Sequence, residues 1–119
     1  IDLAAAYGVL ARGGTHIVPS PLLGNTGEAD RIISAETAYL ITSMLSTSRS
    51  RRLEFGMETP LELPFDVAVK TGTSAAFCDN LVVGYSPEVT VAVWVGNFDG
   101  RPMHGVLSMV GAAPPLPLL

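Results

Sequence analysis

Apolar residues recur with two different periods along the chain, and the period changes near residue 65. Residues 2–12 and 35–46 repeat apolar positions every three or four residues, which predicts two helices. Residues 66–74, 80–85 and 89–96 are rich in β-branched residues and are bounded by turn residues, which predicts three strands. The pattern therefore predicts an α/β (α+β) fold in which an antiparallel sheet is flanked by helices.

The first predicted helix is followed by a short ribbon. The glycine pair at positions 13–14 is typical of a helix end. Residues 15–23 alternate but contain Pro19 and Pro21, which a central strand would not tolerate, so a short edge ribbon is expected. Residues 31–33 are predicted to form the return strand of this small hairpin. At helical spacing, the first helix carries Leu3, Ala6, Tyr7 and Leu10.

The second predicted helix has a clear start. Ser34 is a good N-cap, and Glu36 lies in the first turn, where a carboxylate complements the helix dipole. Its buried stripe is expected to consist of Ala38, Ile41, Met44 and Leu45. Residues 46–63 contain turn residues and acidic residues, and we expect a long loop there.

The last predicted strand is apolar on both faces. Val89, Val91, Val93 and Val95 alternate with Thr90, Ala92 and Trp94. Strands of this kind are usually covered on both sides, so Trp94 is expected to be a core residue. The two helices are expected to cover only part of the sheet, with the rest of a larger protein covering the remainder.

Composition excludes several classes of function. The net charge is −4, which argues against a nucleic-acid surface, because such surfaces need clustered Lys and Arg. Cys78 is the single cysteine and forms no intrachain disulfide; it is expected to be a small packed residue rather than a reactive thiol. His16 and His104 lack metal-ligand spacing, and we predict no metal site and no cofactor.

The candidate chemistry lies where the first sheet strand ends, at residues 70–74. The segment reads Lys-Thr-Gly-Thr-Ser, and Lys70 is the only lysine in the chain. An ammonium group, flanking hydroxyl groups and a glycine that permits close approach predict an edge that binds an anionic, peptide-like ligand. The alternative is a strand end with an exposed lysine.

This segment resembles a known motif. Lys70-Thr71-Gly72 is similar to the Lys-Thr-Gly motif of penicillin-binding proteins and serine β-lactamases. Asp79, the Val-Gly-Tyr-Ser-Pro of residues 83–87 and the run of residues 93–103 follow in the order seen at the end of a class A penicillin-binding protein transpeptidase domain. Residues 97–103 and 111–114 look most like the penicillin-binding protein 1C branch. The resemblance covers most of the chain and is weakest at residues 48–63 and after residue 114.

The resemblance implies roles for each residue of the segment. Lys70 supplies positive potential for the terminal carboxylate of the substrate, and the hydroxyl groups of Thr71 and Thr73 hold that carboxylate. The main-chain N–H of Thr73 is one of two oxyanion donors, so Lys70 and Thr73 are the candidate catalytic groups. Gly72 lets the ligand backbone approach, and Ser74 completes the substrate-binding set.

Two motifs of the family are missing from this chain. A Ser-x-x-Lys motif would need serine at position 67, which is Val67, and no asparagine has serine two residues before it. Because covalent catalysis needs a nucleophile beside an activating group, we expect this polypeptide alone to be unable to form an acyl-enzyme. Residues 105–113 fit the start of the family's closing helix, but the prolines at 114, 115 and 117 prevent its continuation.

The leading interpretation is that residues 1–119 are the C-terminal portion of a transpeptidase domain. The parent protein would cross-link D-Ala-D-Ala stem peptides of peptidoglycan and bind β-lactams. We expect it also to carry a glycosyltransferase domain and to lie on the periplasmic side of the bacterial envelope, anchored to the cytoplasmic membrane. The remainder of that domain is its expected partner, with self-association through uncovered sheet surface. The alternatives are a D,D-carboxypeptidase or β-lactamase, and a non-catalytic sensing module.

Overall fold

The computed structural model of the chain describes residues 1–24, 27–47, 49, 52, 61, 63–75 and 78–103. Two helices, a two-stranded ribbon and a three-stranded sheet make up an α+β fold, as predicted. The predicted closing-helix start, His104 and most of the predicted long loop lie outside the described residues. In chain order the elements are α1 (Asp2–Ala11), β1 (Thr15–Ile17), β2 (Ala29–Arg31), α2 (Ala35–Ser46), β3 (Ala68–Thr73), β4 (Asp79–Tyr85) and β5 (Thr90–Gly96).

Helix α1 ends at the predicted glycine pair. The N–H of Gly14 donates to the carbonyl of Val9 at 2.8 Å, and Gly14 adopts a φ of 101°, a conformation that glycine adopts readily. A Cβ at this position would also collide with the carbonyl oxygen of Ile33. The buried residues of the helix are Gly8 and Val9, whereas Leu3, one of the apolar residues at helical spacing, is 37% exposed.

The ribbon forms with a shifted return strand. Strand β1 pairs antiparallel with β2, and Thr15 lies opposite Arg31. The prediction of a return strand at residues 31–33 was therefore wrong by two residues. The N–H groups of Ile32 and Ile33 both donate to the carbonyl of Gly14, at 3.0 and 3.3 Å. These bonds direct the two residues to the helix end instead of to the strand ladder.

Helix α2 has the predicted bounds and cap. The Ser34 hydroxyl accepts a hydrogen bond from the N–H of Thr37 at 3.2 Å. A hydrogen bond from its own main-chain N–H lowers the pKa of the Glu36 carboxyl, and one from the Ser34 side chain adds to this effect. Both interactions favour the ionised carboxylate at the positive end of the helix.

The buried stripe of α2 is only partly as predicted. Ala38 is 1% exposed, but Met44 is 68% exposed, so its assignment to the core was wrong. At 3.6 residues per turn, Met44 lies about 120° around the helix from Ala38, whereas Thr42 lies about 40° away. Thr42 occupies the inward position, where its hydroxyl and that of Tyr85 are 3.0 Å apart.

The sheet has the order β3-β4-β5 and is antiparallel throughout. Strand β4 is central, and within the described sheet β3 and β5 are its edges. The N–H of Ser86 donates to the carbonyl of Val89 at 2.9 Å and closes the predicted hairpin between β4 and β5. Strand β3 therefore presents its outer edge, which carries the candidate segment, away from β4.

The two faces of the sheet are covered differently. On one face, Leu61 packs with Val67, Val69 and Val82 in a buried cluster. On the other face, the hydroxyl group of Tyr85 is 3.0 Å from that of Thr42 in α2, and its ring centroid is 6.0 Å from that of Tyr7 in α1.

The helices cover this second face only at its Tyr85 end. Trp94 is 42% exposed on the uncovered part, so the described part of this chain does not bury it as a core residue. In the described part of the chain, neither helix combines the length and the apolar character needed to cross a membrane.

Candidate functional site

The hydrogen-bond alternation of β3 decides which main-chain groups face the open edge. The N–H of Ser74 donates to the carbonyl of Asp79 at 3.0 Å, so these two residues form a hydrogen-bonded pair. In an antiparallel ladder, such pairs alternate with pairs whose main-chain groups point away from each other. Thr73, which lies opposite Asn80, is in the second kind of pair, and so is Thr71. The main-chain N–H and carbonyl groups of Thr71 and Thr73 are therefore directed to the outer edge of β3.

Lys70 folds back along this same edge. Its side chain is exposed, and its ammonium group donates a hydrogen bond of 2.6 Å to the carbonyl oxygen of Thr71. Because that carbonyl faces outward, the contact places the positive charge beside the open edge rather than far out in solvent. The only lysine of the chain thus lies within reach of any group that pairs with the edge.

Gly72 is on the same sheet face as Lys70, and its lack of a side chain leaves space there. A shallow depression of about 400 Å³ is lined by Gly72, Thr73, Ser74, Asp79, Leu81 and Trp94. A Cβ built on Gly72 would lie 3.8 Å from the Cβ of Leu81, an ordinary van der Waals distance. Folding therefore does not require glycine at position 72, and the space above it is available to a ligand.

The two threonines project to the other face of β3. Thr71 is 7% exposed, whereas Thr73 is half-buried at the end of the strand. The Thr73 hydroxyl donates a hydrogen bond of 3.0 Å to the Oδ1 atom of Asn80, which is completely buried. The candidate segment is thus divided, with Lys70 and Gly72 on one face and both threonines on the other, around one common edge.

Ser74 holds the end of the strand in place. Its hydroxyl oxygen accepts a hydrogen bond of 2.8 Å from the N–H of Asp79, and its own N–H donates to the carbonyl of that residue. Asp79 in turn accepts a hydrogen bond of 2.9 Å from the indole N–H of Trp94. These contacts tie the ends of all three strands together beside the candidate segment.

Comparison with known proteins gives relatives that match most of the chain. Penicillin-binding protein 1A of Pseudomonas aeruginosa is 36% identical over 91 residues, which are 76% of this chain. Penicillin-binding protein 1F of Bacillus subtilis is 32% identical over 113 residues, 81% of this chain, and penicillin-binding protein 1C of Escherichia coli is 28% identical over 118 residues, 95% of it. The chain belongs to the class A penicillin-binding protein family.

This penicillin-binding protein chain spans only a small part of its relatives. The matched regions are 10%, 15% and 14% of the lengths of the 1A, 1F and 1C proteins named above. No family model matches the sequence.

Two residues outside the predicted site set support it. Asn80 and Trp94 both contact the segment or its supports, through Thr73 and Asp79 respectively. Asn80 has the same strand parity as the buried Val82, and this parity was the available signal that its polar side chain would face inward. Nothing in the sequence pattern of Trp94 distinguished an exposed position from a core one.

Metal binding has no support in the described geometry. Within residues 1–24, 27–47, 49, 52, 61, 63–75 and 78–103, no three His, Cys, Asp or Glu side chains form a group that could hold an ion. Cys78, the single cysteine of the chain, is of intermediate exposure. The edge carries an ammonium, hydroxyl groups and main-chain N–H groups, which can bind an anion and stabilise developing negative charge.

Proposed function

We propose that this chain is the substrate-binding half of a peptidoglycan D,D-transpeptidase, in which the outer edge of β3 binds stem peptides that end in D-Ala-D-Ala. The observation that carries the proposal is the position of the Lys70 ammonium, held 2.6 Å from the outward-facing carbonyl of Thr71. The charge lies beside a row of outward main-chain groups, which is an arrangement suited to an extended peptide with an anionic end.

The peptide would bind by strand addition. Main-chain hydrogen bonds to the edge give affinity in this mode, and the neighbouring side chains give specificity. Lys70 would attract the terminal carboxylate, and the hydroxyl group of the half-buried Thr73 would hold it. Thr71, which is 7% exposed, would take part through its outward main-chain groups. Gly72 would allow the peptide backbone to approach over the depression described above.

Acyl transfer would use the main-chain N–H of Thr73. This group is directed to the open edge, where it can donate to the oxygen of the scissile carbonyl as negative charge develops there. One such preorganised donor contributes about 3 kcal/mol of transition-state stabilisation. A second donor would come from the serine nucleophile, which attacks the carbonyl carbon and displaces the terminal D-Ala before an amine accepts the acyl group.

The nucleophile would be supplied by another part of a parent protein. This chain has neither the Ser-x-x-Lys nor the Ser-x-Asn motif, so the chain alone is expected not to be acylated. Incubation with a fluorescent penicillin, followed by denaturing gel electrophoresis, tests this expectation. A covalently labelled band would overturn it.

The proposal extends to partners and location. The parent would be a bifunctional synthase with a glycosyltransferase domain, on the periplasmic side of the cell envelope and anchored to the cytoplasmic membrane. The rest of the transpeptidase domain would pack against this chain. Trp94, which is 42% exposed, and Phe98, which is fully exposed with its ring centroid 5.2 Å from that of Trp94, are on surface available for such packing or for self-association.

Binding of a minimal ligand tests the proposed edge directly. The ¹⁵N-labelled chain is titrated with N-acetyl-D-alanyl-D-alanine, and the amide resonances of residues 69–75 are followed by NMR. We expect Lys70→Gln to weaken binding about tenfold or more, since a charge-assisted hydrogen bond is lost. Arg101→Gln is the matched control, because it makes the same change in charge at a residue whose side chain is 82% exposed and paired with Asp99.

The control variant is expected to bind within about twofold of the unmodified chain, since an exposed ion pair contributes little. If Lys70→Gln and Arg101→Gln lose the same affinity for the peptide, net charge alone attracts it. No perturbation of residues 69–75 in the unmodified chain would overturn the proposed function.

A further inference from the structure

Asn80 is completely buried, and only one of the two polar groups of its side chain has a hydrogen-bond partner among the described residues. Its Oδ1 atom accepts from the Thr73 hydroxyl at 3.0 Å, while its Nδ2 group finds no partner among the described residues. Leaving a buried donor unsatisfied is costly, and such groups need an explanation in a folded protein. The unsatisfied donor belongs to the residue that contacts Thr73 of the candidate segment.

The register brings these two side chains together. Thr73 and Asn80 are directly opposite each other in β3 and β4, in a pair whose main-chain groups do not bond to each other. Opposite side chains are closest in such pairs, with Cα atoms about 4.5 Å apart. The strand register therefore fixes this contact. Because Asn80 is buried, its side-chain amide can exchange hydrogen-bond partners only by rotating in place.

The amide orientation determines what the Thr73 hydroxyl offers to a ligand. In the orientation observed, the hydroxyl hydrogen is directed to Oδ1 of Asn80, so Thr73 presents lone pairs to anything at the edge. Rotation of the amide by half a turn would bring Nδ2 to the hydroxyl oxygen as a donor. The hydroxyl hydrogen would then be available to an anion.

We propose that Asn80 is a positioning residue that sets the donor direction of the Thr73 hydroxyl and reverses it when a carboxylate binds. The bound state would contain a chain of two hydrogen bonds, from Nδ2 of Asn80 to the hydroxyl oxygen of Thr73, and from that hydroxyl to the carboxylate. A charged acceptor at the end of such a chain strengthens both bonds. The inference rests on the proposed function, because it takes the carboxylate of the stem peptide as the ligand.

The sequence makes the reversal directly observable. Asparagine occurs only at positions 25, 80 and 97, and the chain contains no glutamine, so its ¹⁵N spectrum has three side-chain amide pairs. The pair that is lost in Asn80→Asp identifies Asn80. On titration with N-acetyl-D-alanyl-D-alanine, we expect the proton resonance of the Asn80 side-chain amide to move downfield, while the C-terminal amide of the same peptide leaves it unmoved.

Two variants separate positioning from a structural role. In Asn80→Asp the new carboxylate can only accept, so it retains the Thr73 hydrogen, and we expect affinity for the peptide to fall about tenfold or more above about pH 8. In Asn80→Leu the hydroxyl loses its partner but keeps its hydrogen, so a loss of only about threefold is expected. Thr73→Val combined with Asn80→Asp should bind no more weakly than Thr73→Val alone.

The outcomes distinguish this inference from the proposed function. If the peptide perturbs residues 69–75 but leaves the Asn80 side-chain amide unmoved, Asn80 does not position Thr73 and the binding edge stands. The titration itself is recorded on the unmodified chain. If Asn80→Asp fails to fold, the pairs lost in Asn25→Asp and Asn97→Asp assign the Asn80 amide by elimination. If the peptide perturbs neither residues 69–75 nor the Asn80 side-chain amide, both proposals fail. If Asn80→Asp and Asn80→Leu lose the same affinity for the peptide, Asn80 has only a structural role.

Discussion

The indole N–H of Trp94 donates a hydrogen bond of 2.9 Å to Oδ1 of Asp79 across the end of the sheet. Trp94 is on the edge strand β5 and Asp79 begins the central strand β4. Asp79 also bonds to Ser74 at the end of β3, so the two contacts together link all three strands beside the candidate binding edge. The contact depends on a small residue below the indole, and Gly96 supplies it.

Replacement of Gly96 by alanine should destabilise the chain. A Cβ at this position would lie 2.7 Å from Oδ1 of Asp79, 2.7 Å from Cζ2 of Trp94 and 2.9 Å from the carbonyl oxygen of Cys78. Since one of these atoms belongs to the main chain, we expect the free energy of unfolding to fall by about 2 kcal/mol. Urea denaturation followed by Trp94 fluorescence measures the change, and an unchanged midpoint would contradict it.

Replacement of Gly72 by alanine should leave stability nearly unchanged but weaken ligand binding. The new Cβ would meet only the Cβ of Leu81, at 3.8 Å, so stability should change by less than about 0.5 kcal/mol. The methyl group would project into the depression where a ligand backbone is proposed to approach. We expect binding of N-acetyl-D-alanyl-D-alanine to weaken about tenfold while the unfolding midpoint stays in place. Equal binding by the variant would show that the ligand does not pass over this position.

Removal of the α2 cap should cost a moderate amount of stability. Ser34→Ala deletes the oxygen that accepts from the N–H of Thr37 at 3.2 Å, and the expected loss is about 1 kcal/mol. Ser34→Asp keeps a capping oxygen at the same position and serves as the control, with a stability close to that of the unmodified chain. Thermal unfolding followed by circular dichroism measures both variants; equal losses in the two would indicate that the contact is not a cap.

Tyr85 should make stability depend on alkaline pH. Burial raises the pKa of its hydroxyl, the hydrogen bond with Thr42 opposes that shift, and Tyr7 adds to it. Because the pKa in the folded state is above that in the unfolded state, the contribution of Tyr85 to stability is complete below about pH 10 and is lost as the pH rises through the folded value. Unfolding by urea across this range should therefore show a falling midpoint.

Tyr85→Phe should remove most of that dependence. At neutral pH the variant should lose about 1 kcal/mol of stability, because the hydroxyl group of Thr42 loses its partner. Tyr39→Phe is the matched control, since Tyr39 is 72% exposed, and it should change neither the stability nor its pH dependence. If the stability of Tyr85→Phe falls with rising pH as steeply as that of the unmodified chain, Tyr85 is not the source of the pH dependence.

Local sequence signals predicted the elements well and their surroundings less well. The cap at Ser34, the helix end at Gly14 and the hairpin at Ser86 formed where expected, because each depends on hydrogen bonds between residues five or fewer positions apart. The return strand of the ribbon was displaced, because Gly14 binds the N–H groups of Ile32 and Ile33 across the fold. Periodicity also did not reveal that Met44 faces outward.

By itself, the sequence determined the class of fold, the two helices and the three strands of the sheet. It also contains the Lys-Thr-Gly-Thr-Ser segment, which carries the resemblance to the family. These follow from propensity, spacing and residue chemistry, which act over a few neighbouring residues. Only the tertiary structure decided that Lys70 bonds to the outward carbonyl of Thr71, that Trp94 is exposed and bonds to Asp79, and that Asn80 is buried against Thr73. Each of these depends on strand order or register, because pairing between distant residues decides which groups meet.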